Sequence, residues 1–159
     1  MARLKYIVED KIYEVSTKLG NIKVSPSNTI FFPRGLCGIG DIKKYCLSNI
    51  PENKLPGALI MQSLEGEDLT FIVVPLSSYF YEGEHAVMDY TQIRLASEQY
   101  DIKEDNLSVL AISKISKIDD KFEISLNLKA PIFLDTSEKL AFQHVFIKYD
   151  YPIDYKISK

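Results

Sequence analysis

Leu126-Asn127-Leu128-Lys129-Ala130-Pro131-Ile132-Phe133-Leu134-Asp135 is the stretch on which the fold turns. It continues an alternating run in which Phe122, Ile124, Leu126 and Leu128 are apolar and Glu123, Ser125 and Asn127 lie between them. Such alternation predicts a strand with one face buried. The run does not stop at a polar turn. It meets Pro131 and then a second apolar segment, and a proline has no N–H for a sheet ladder, so the chain stands at a sheet edge or a corner here. The polar side carries neither an acid/base pair nor a cluster of metal ligands, which is the pattern of a surface built for a partner.

The neighbouring segments extend the same reading. Turn signals recur at Gly20-Asn21, Ser25-Pro26-Ser27-Asn28, Pro33-Arg34-Gly35, Pro51-Glu52-Asn53, Pro56-Gly57, Glu65-Gly66-Glu67-Asp68 and Asp119-Asp120. Short apolar runs lie between them. Leu59 to Ser63 and Leu69 to Val74 flank the acidic turn and predict a hairpin. Leu107 to Ile112 and Phe122 to Leu128 predict a second pair around Asp119-Asp120, and Gln143 to Tyr149 a further strand with Val145, Ile147 and Tyr149 on one face. Near the N-terminus, Leu4, Ile7, Val8, Ile12, Val15 and Leu19 fit a helical stripe. Tyr13-Glu14-Val15-Ser16-Thr17 favours a strand, taken as Ile12 to Lys18 and paired with Ile22 to Val24. Helices are expected to be few and short, over Gly40 to Leu47 and Leu95 to Tyr100. The expected fold is all-β with a few short helices, a small, mainly antiparallel, barrel-like sheet folded on itself, because closure removes exposed strand edges.

Length and composition agree. The 159 residues, 46% hydrophobic and 26% charged, fit one globular domain. Ten tyrosines and eight phenylalanines supply one core. A net charge of -3 argues against a nucleic-acid binder, which needs clustered Lys and Arg. The charge is uneven, with seven carboxylates and two bases between Glu82 and Asp105. That stretch reads either as a solvated face or as a docking field for a basic protein. Two cysteines, Cys37 and Cys46, make no disulfide framework and no zinc set. The N-terminus lacks the apolar core of a leader, and no segment has the apolar length of a membrane span. A cytoplasmic, reduced setting is expected, with no membrane and no cofactor.

Catalytic equipment is not visible in the pattern. His144 falls in an apolar strand run, where a lone histidine is more often structural. His85 stands among Glu82 and Glu84, where a surface ion pair is a better reading than a general base. Gly35-Leu36-Cys37-Gly38-Ile39-Gly40 lacks the Lys-Ser/Thr pair of a phosphate loop and the spacing of a dinucleotide site, so it reads as a turn requiring positive φ. Cys37 has no neighbouring base to activate it.

Ile30-Phe31-Phe32-Pro33-Arg34-Gly35-Leu36, Met61-Gln62-Ser63, Phe71-Ile72-Val73-Val74-Pro75, Asp89-Tyr90, Asn127-Leu128-Lys129-Ala130-Pro131-Ile132, Ala141-Phe142-Gln143 and Tyr149-Asp150-Tyr151-Pro152, taken in order and spacing, resemble the FliW family of flagellar assembly factors. The resemblance runs from about Tyr13 to Ile157, nearly all of a single domain, and leaves residues 1–11 as an N-terminal extension. It departs at Cys37, where the family usually has Pro, at Ile39 for Phe, and at Met61 for Leu. The resemblance implies a non-enzymatic cytoplasmic regulator, expected as a monomer, that binds the translational repressor CsrA and newly made flagellin. Flagellin export would then free the protein to relieve the repressor. The candidate contact residues are Asn127, Lys129, Ala130 and Pro131, with Gln62, Ser63, Glu65, Glu67 and Asp68. Two readings of Asn127 stay open: its amide ties down the turn before Pro131, or it touches a partner. For Gln143 the expectation is a buried amide that satisfies backbone groups. A small β-barrel ligand carrier or enzyme, and a flagellin chaperone without a translational role, are the competing readings.

Overall fold

The computed structural model describes residues 12–53, 55, 57–77, 80–84 and 86–157. Eleven strands and one α-helix occur among them. The strands are β1 (Tyr13–Thr17), β2 (Gly20–Val24), β3 (Thr29–Phe31), β4 (Lys44–Asn49), β5 (Leu59–Ser63), β6 (Thr70–Pro75), β7 (Leu107–Ile118), β8 (Lys121–Leu126), β9 (Ile132–Asp135), β10 (Leu140–Gln143) and β11 (Tyr155–Ile157), and the helix is α1 (Tyr90–Gln99).

Seven strands close a ring in the order β7-β6-β5-β4-β3-β10-β9, with β9 returning to β7. All neighbours are antiparallel except β3 and β10, which run parallel and meet at one pair, Phe31 opposite Leu140. Strands β8 and β11 extend the sheet from β7 as a flap. The expected mostly antiparallel, barrel-like sheet is therefore present, with one parallel seam.

Every ring strand sends an apolar side chain into the same cluster: Ile30, Tyr45, Met61, Val73, Leu110, Ile132, Leu134 and Ala141. This is the barrel interior. The outer face is also covered. The β1–β2 hairpin lays Ile22 and Val24 over Cys46 and Ile60. On another side α1 brings Ile93 and Ala96 against Val109, Ala111 and Phe133. Strands buried on both faces lose the two-residue polar alternation, because both orientations need apolar side chains.

That loss explains one error of the sequence reading. The helix expected over Gly40 to Leu47 does not exist; Lys44–Asn49 is β4, paired with both β3 and β5. Tyr45 faces the interior and Cys46 the hairpin, and both are fully buried. The strand expected from Gln143 to Tyr149 is also corrected. Regular pairing ends at Gln143, and the chain continues as a strap whose Ile147 is 84% exposed. The helix expected over Leu95 to Tyr100 starts earlier, at Tyr90, because Asp89 caps it by accepting the Thr91 N–H at 2.7 Å. The β1–β2 and β5–β6 hairpins pair as expected. A hairpin also forms around Asp119-Asp120, but the stretch opposite Phe122 to Leu126 is Ser113 to Lys117; of the expected partner, Leu107 to Leu110 pair with β9 instead. Leu4, Ile7 and Val8 of the N-terminal stripe lie outside the described residues.

The quoted stretch is the corner that makes closure possible. One edge of β7 is shared: Leu107 to Leu110 pair with β9, and Ser113 to Ile118 pair with β8. The chain must step from flap to barrel between them, and residues 127–131 make that step. The Asn127 N–H still donates to Ile112 C=O at 2.9 Å, so the ladder holds up to the corner. The Asn127 side-chain Oδ1 then accepts the N–H groups of Lys129 and Ala130, both at 3.1 Å. Pro131 follows, with no N–H to satisfy.

The first of the two readings of Asn127 is thus realised in the geometry. Asn127→Ala leaves two partly buried donors without their acceptor and is expected to lower stability by about 1–3 kcal/mol. Asn127→Asp keeps the acceptor and should lose much less. Urea unfolding of the two variants checks the difference.

Candidate functional site

Segments far apart in the chain converge on one rim of the barrel. The loop from Phe32 to Lys43 runs along it. Gly35 adopts φ +66, and a Cβ there would sit 2.5 Å from the Gly40 Cα, so only glycine allows the loop to fold back on itself. Gly38, at φ +83, closes a tight turn in which the Ile39 N–H donates to Leu36 C=O at 3.0 Å. The glycine cluster is a turn device, as its sequence suggests.

One end of this loop meets the acidic turn of the β5–β6 hairpin. The Lys43 N–H donates to Glu65 Oε1 at 2.9 Å, while the Lys43 ammonium donates to Pro33 C=O at 2.8 Å. Gln62 and Ser63 stand beneath this turn, 1% and 6% exposed. Gln62 Nε2 donates to Asp68 Oδ1 at 2.6 Å, and the Thr70 hydroxyl donates to Gln62 Oε1 at 2.5 Å. The Ser63 hydroxyl donates to Glu67 C=O at 2.6 Å and accepts the Leu69 N–H at 2.9 Å. Both side chains are buried and spent on shaping the turn. Glu65, Glu67 and Asp68 are the exposed members. Tyr45 is buried below; burial first, then the Glu65 carboxylate, pushes its hydroxyl pKa up to about 12.

The middle of the loop meets the corner through Gln143. Gln143 Oε1 accepts the Cys37 N–H at 2.8 Å, and Gln143 Nε2 donates to Ala130 C=O at 3.1 Å. The amide satisfies backbone groups, as expected for this position. Ala130 and Pro131 are buried, so they shape the corner, and Lys129 is half-buried. Pro131 C=O accepts from the His144 N–H at 2.9 Å, and Lys129 C=O accepts from the Phe146 N–H at 2.8 Å. The corner, the 144–149 strap and the loop are thereby sewn together.

Aromatic side chains back this junction. Tyr100, at the end of α1, stacks on Phe142 with centroids 4.6 Å apart, and the Arg34 guanidinium lies 5.6 Å from the Tyr100 ring centroid. The Tyr100 hydroxyl hydrogen-bonds to His144 Nδ1 at 2.7 Å. His144 lies among Tyr100, Phe133 and Phe146, edge to face. Burial lowers its pKa below the ordinary histidine value. Beyond it, Leu95 of α1 and Val145, Ile147 and Tyr149 of the strap border an exposed groove of about 290 Å³. Sequence reasoning passed over this groove because it placed the strap in a strand.

The acidic stretch from Glu82 to Asp105 is partly committed to local structure. Asp89 caps α1, Glu98 pairs with Arg94 at 2.9 Å, and Glu104 accepts the Tyr90 hydroxyl at 2.9 Å. His85 lies outside the described residues. Among the described residues, no group of three or more His, Cys, Asp and Glu is placed to hold a metal ion. Cys46 is buried, and burial raises its thiol pKa to about 11; Cys37 is exposed, and both are free. No helix among the described residues is long and apolar enough to cross a membrane.

Two outcomes test this geometry. Gly35→Ala combines a left-handed backbone with a backbone clash and should cost more than about 2 kcal/mol in urea unfolding. His144 binds protons less readily folded than unfolded, so its share of stability is complete above about pH 6.5 and lost as pH falls from there through its lowered folded pKa. Unfolding free energy measured from pH 8 to pH 4.5 should show that slope, and His144→Phe should flatten it.

A profile of the FliW protein family matches residues 14–157. The chain is 33% identical over 139 residues to a flagellar assembly factor FliW of Clostridium botulinum (strain Alaska E43 / Type E3), covering 87% of this chain and 93% of that one. It is 32% identical over 139 residues to a protein of the same description from Natranaerobius thermophilus, covering 86% and 85%. A solved structure described as the crystal structure of the flagellar assembly factor FliW shares the fold, with a TM-score of 0.68 at 23% identity over 91% of this chain and 96% of that one. With the match spanning both the barrel and its rim, the chain belongs to the FliW family of flagellar assembly factors.

Proposed function

We propose that this FliW-family chain is a cytoplasmic regulator that acts by protein binding rather than catalysis, engaging a CsrA-type translational repressor and flagellin in turn. The observation that carries this reading is the convergence of separate motif segments on one rim. The loop from Phe32 to Lys43 joins Gln143 through the Cys37 N–H and Glu65 of the acidic turn through the Lys43 N–H, and Gln143 joins the corner at Ala130 C=O. Their chemistry shapes an exterior. It does not build a pocket with converging acids and bases.

The rim offers two kinds of contact. Glu65, Glu67 and Asp68 form an exposed acidic turn suited to a partner that is basic because it binds RNA. The groove beside Val145 and Ile147 offers mainly apolar contact bordered by Gln92, Gln99 and Lys148, the kind of surface that an amphipathic segment covers. Asn127, Lys129, Ala130 and Pro131 form the corner, which is joined to the strap beside the groove through Lys129 C=O and Pro131 C=O. Mutual exclusion of the two partners would link flagellin export to release of the repressor.

Affinity purification of the full chain from a flagellated bacterium is expected to recover flagellin and a small basic repressor in separate complexes. Recovery of flagellin alone favours a chaperone without a translational role, and recovery of neither refutes the proposal. Neutralising the turn with Glu65→Gln, Glu67→Gln and Asp68→Asn together should slow association with the repressor roughly tenfold at low salt and less at high salt. Stopped-flow binding at two ionic strengths measures it.

A further inference from the structure

Gln143 ends β10, and its single side-chain amide spans two loops separated by more than 80 residues of chain: Oε1 takes the Cys37 N–H at 2.8 Å and Nε2 gives to Ala130 C=O at 3.1 Å. The amide's orientation is forced, since one neighbour only donates and the other only accepts. Cys37 occupies the second position of the Leu36–Ile39 turn. With Gly38 at φ +83 and Cys37 outside the positive-φ region, this is the type II pattern. The turn closes through the Ile39 N–H, which leaves the Cys37 N–H directed to Gln143. On the corner side, Asn127 already holds the N–H groups of Lys129 and Ala130, and the flanking carbonyls of Lys129 and Pro131 hold the strap through Phe146 and His144. The same loop reaches the acidic turn through Lys43 and Glu65.

We infer that Gln143 is a positioning residue that makes the Leu36–Ile39 turn and the Asn127–Pro131 corner one coupled surface, so that a protein partner displacing either loop shifts the other. The inference deepens the proposed function and rests on it only for the binding arm of the test; the coupling itself is a property of the chain alone. A neutral amide suits this task. It donates and accepts at once, and it adds no charge to the rim. A partner bound at the acidic turn is then felt at the corner through Lys43, the loop and Gln143, and by linkage the reverse holds equally.

Two substitutions cut the bridge at opposite ends. Cys37→Pro removes the amide donor at a turn position that proline fits without strain. Gln143→Glu keeps an acceptor for Cys37 but turns only lone pairs toward Ala130 C=O. Amide hydrogen exchange resolved by NMR is the readout, with circular dichroism and urea unfolding confirming that each variant folds. In Cys37→Pro, the amides of Ala130, His144 and Phe146 should exchange at least about twofold faster, although the substitution lies in another loop. In Gln143→Glu at neutral pH the same amides should speed up while Cys37 stays protected. Acidification through the carboxyl titration should restore the pattern relative to the unaltered chain at each pH.

Wild-type exchange at the corner in a folded Cys37→Pro protein overturns the coupling. So does a Gln143→Glu protein in which both loops loosen equally at every pH, the signature of general destabilisation. If either variant does not fold, a through-hydrogen-bond coupling between the Cys37 amide nitrogen and the Gln143 side-chain carbonyl carbon is expected in the unaltered chain, and its absence overturns the inference. In the binding arm, Gln143→Glu should weaken capture of the co-purified partner several-fold. Unaltered capture with a loosened corner refutes the functional reading and leaves the coupling standing.

Discussion

Two hydrogen bonds to the side-chain oxygen of Asn127 decide how this chain closes on itself. Strand β7 is long enough to serve two partners on one edge, and that economy creates a problem at the join. The backbone must leave the ladder for four residues and re-enter it in the same direction. Unpaired backbone donors at such a place cost free energy unless something local accepts them. Asn127 does so from within the segment, and Pro131 shortens the list of donors by one. With the corner held, Ile132 and Leu134 turn inward to the barrel while Phe133 turns outward to α1, and both cores depend on that register.

The double coverage of the barrel shapes everything exposed. A hairpin and a helix occupy two sides of the outer face, so little apolar strand surface remains for partners. What is left is the rim, where loops rather than strands meet solvent, and loops on a rigid scaffold are where binding residues concentrate. The conspicuous polar residues of the rim are mostly spent inward. Gln62, Ser63, Asn127 and Gln143 each satisfy a backbone or neighbouring side-chain group. They shape the rim from within, and the exposed charged groups of the rim include Arg34, Glu65, Glu67 and Asp68.

Much of this architecture was legible in the sequence where local chemistry is sufficient. The Glu65–Asp68 and Asp119-Asp120 turns announced their hairpins; both aspartates at the second turn adopt positive φ, which Asp tolerates better than most residues. The corner at Pro131 was legible from a missing donor. Tyr45-Cys46-Leu47 was not, because a strand buried on both faces carries no period to read. The strap misled in the opposite way. Val145 and Ile147 alternate as in a strand, yet Phe146 is the buried residue and its two neighbours are exposed. The candidate surface was legible only as a set of disconnected segments. The bond from Cys37 to Gln143 joins residues 106 positions apart, and no local pattern encodes it.

The parallel seam between β3 and β10 sets an order of events during synthesis. It rests on the pairing of Phe31 with Leu140 and the Phe31 N–H donated to Lys139 C=O at 3.0 Å. Strand β3 leaves the ribosome early and must wait for more than a hundred further residues before its second neighbour exists. Until then β3 has β4 as its one neighbour in the sheet, and the rim lacks its Gln143 bridge. A chain that stops short of β10 therefore cannot close the ring, however well its hairpins form.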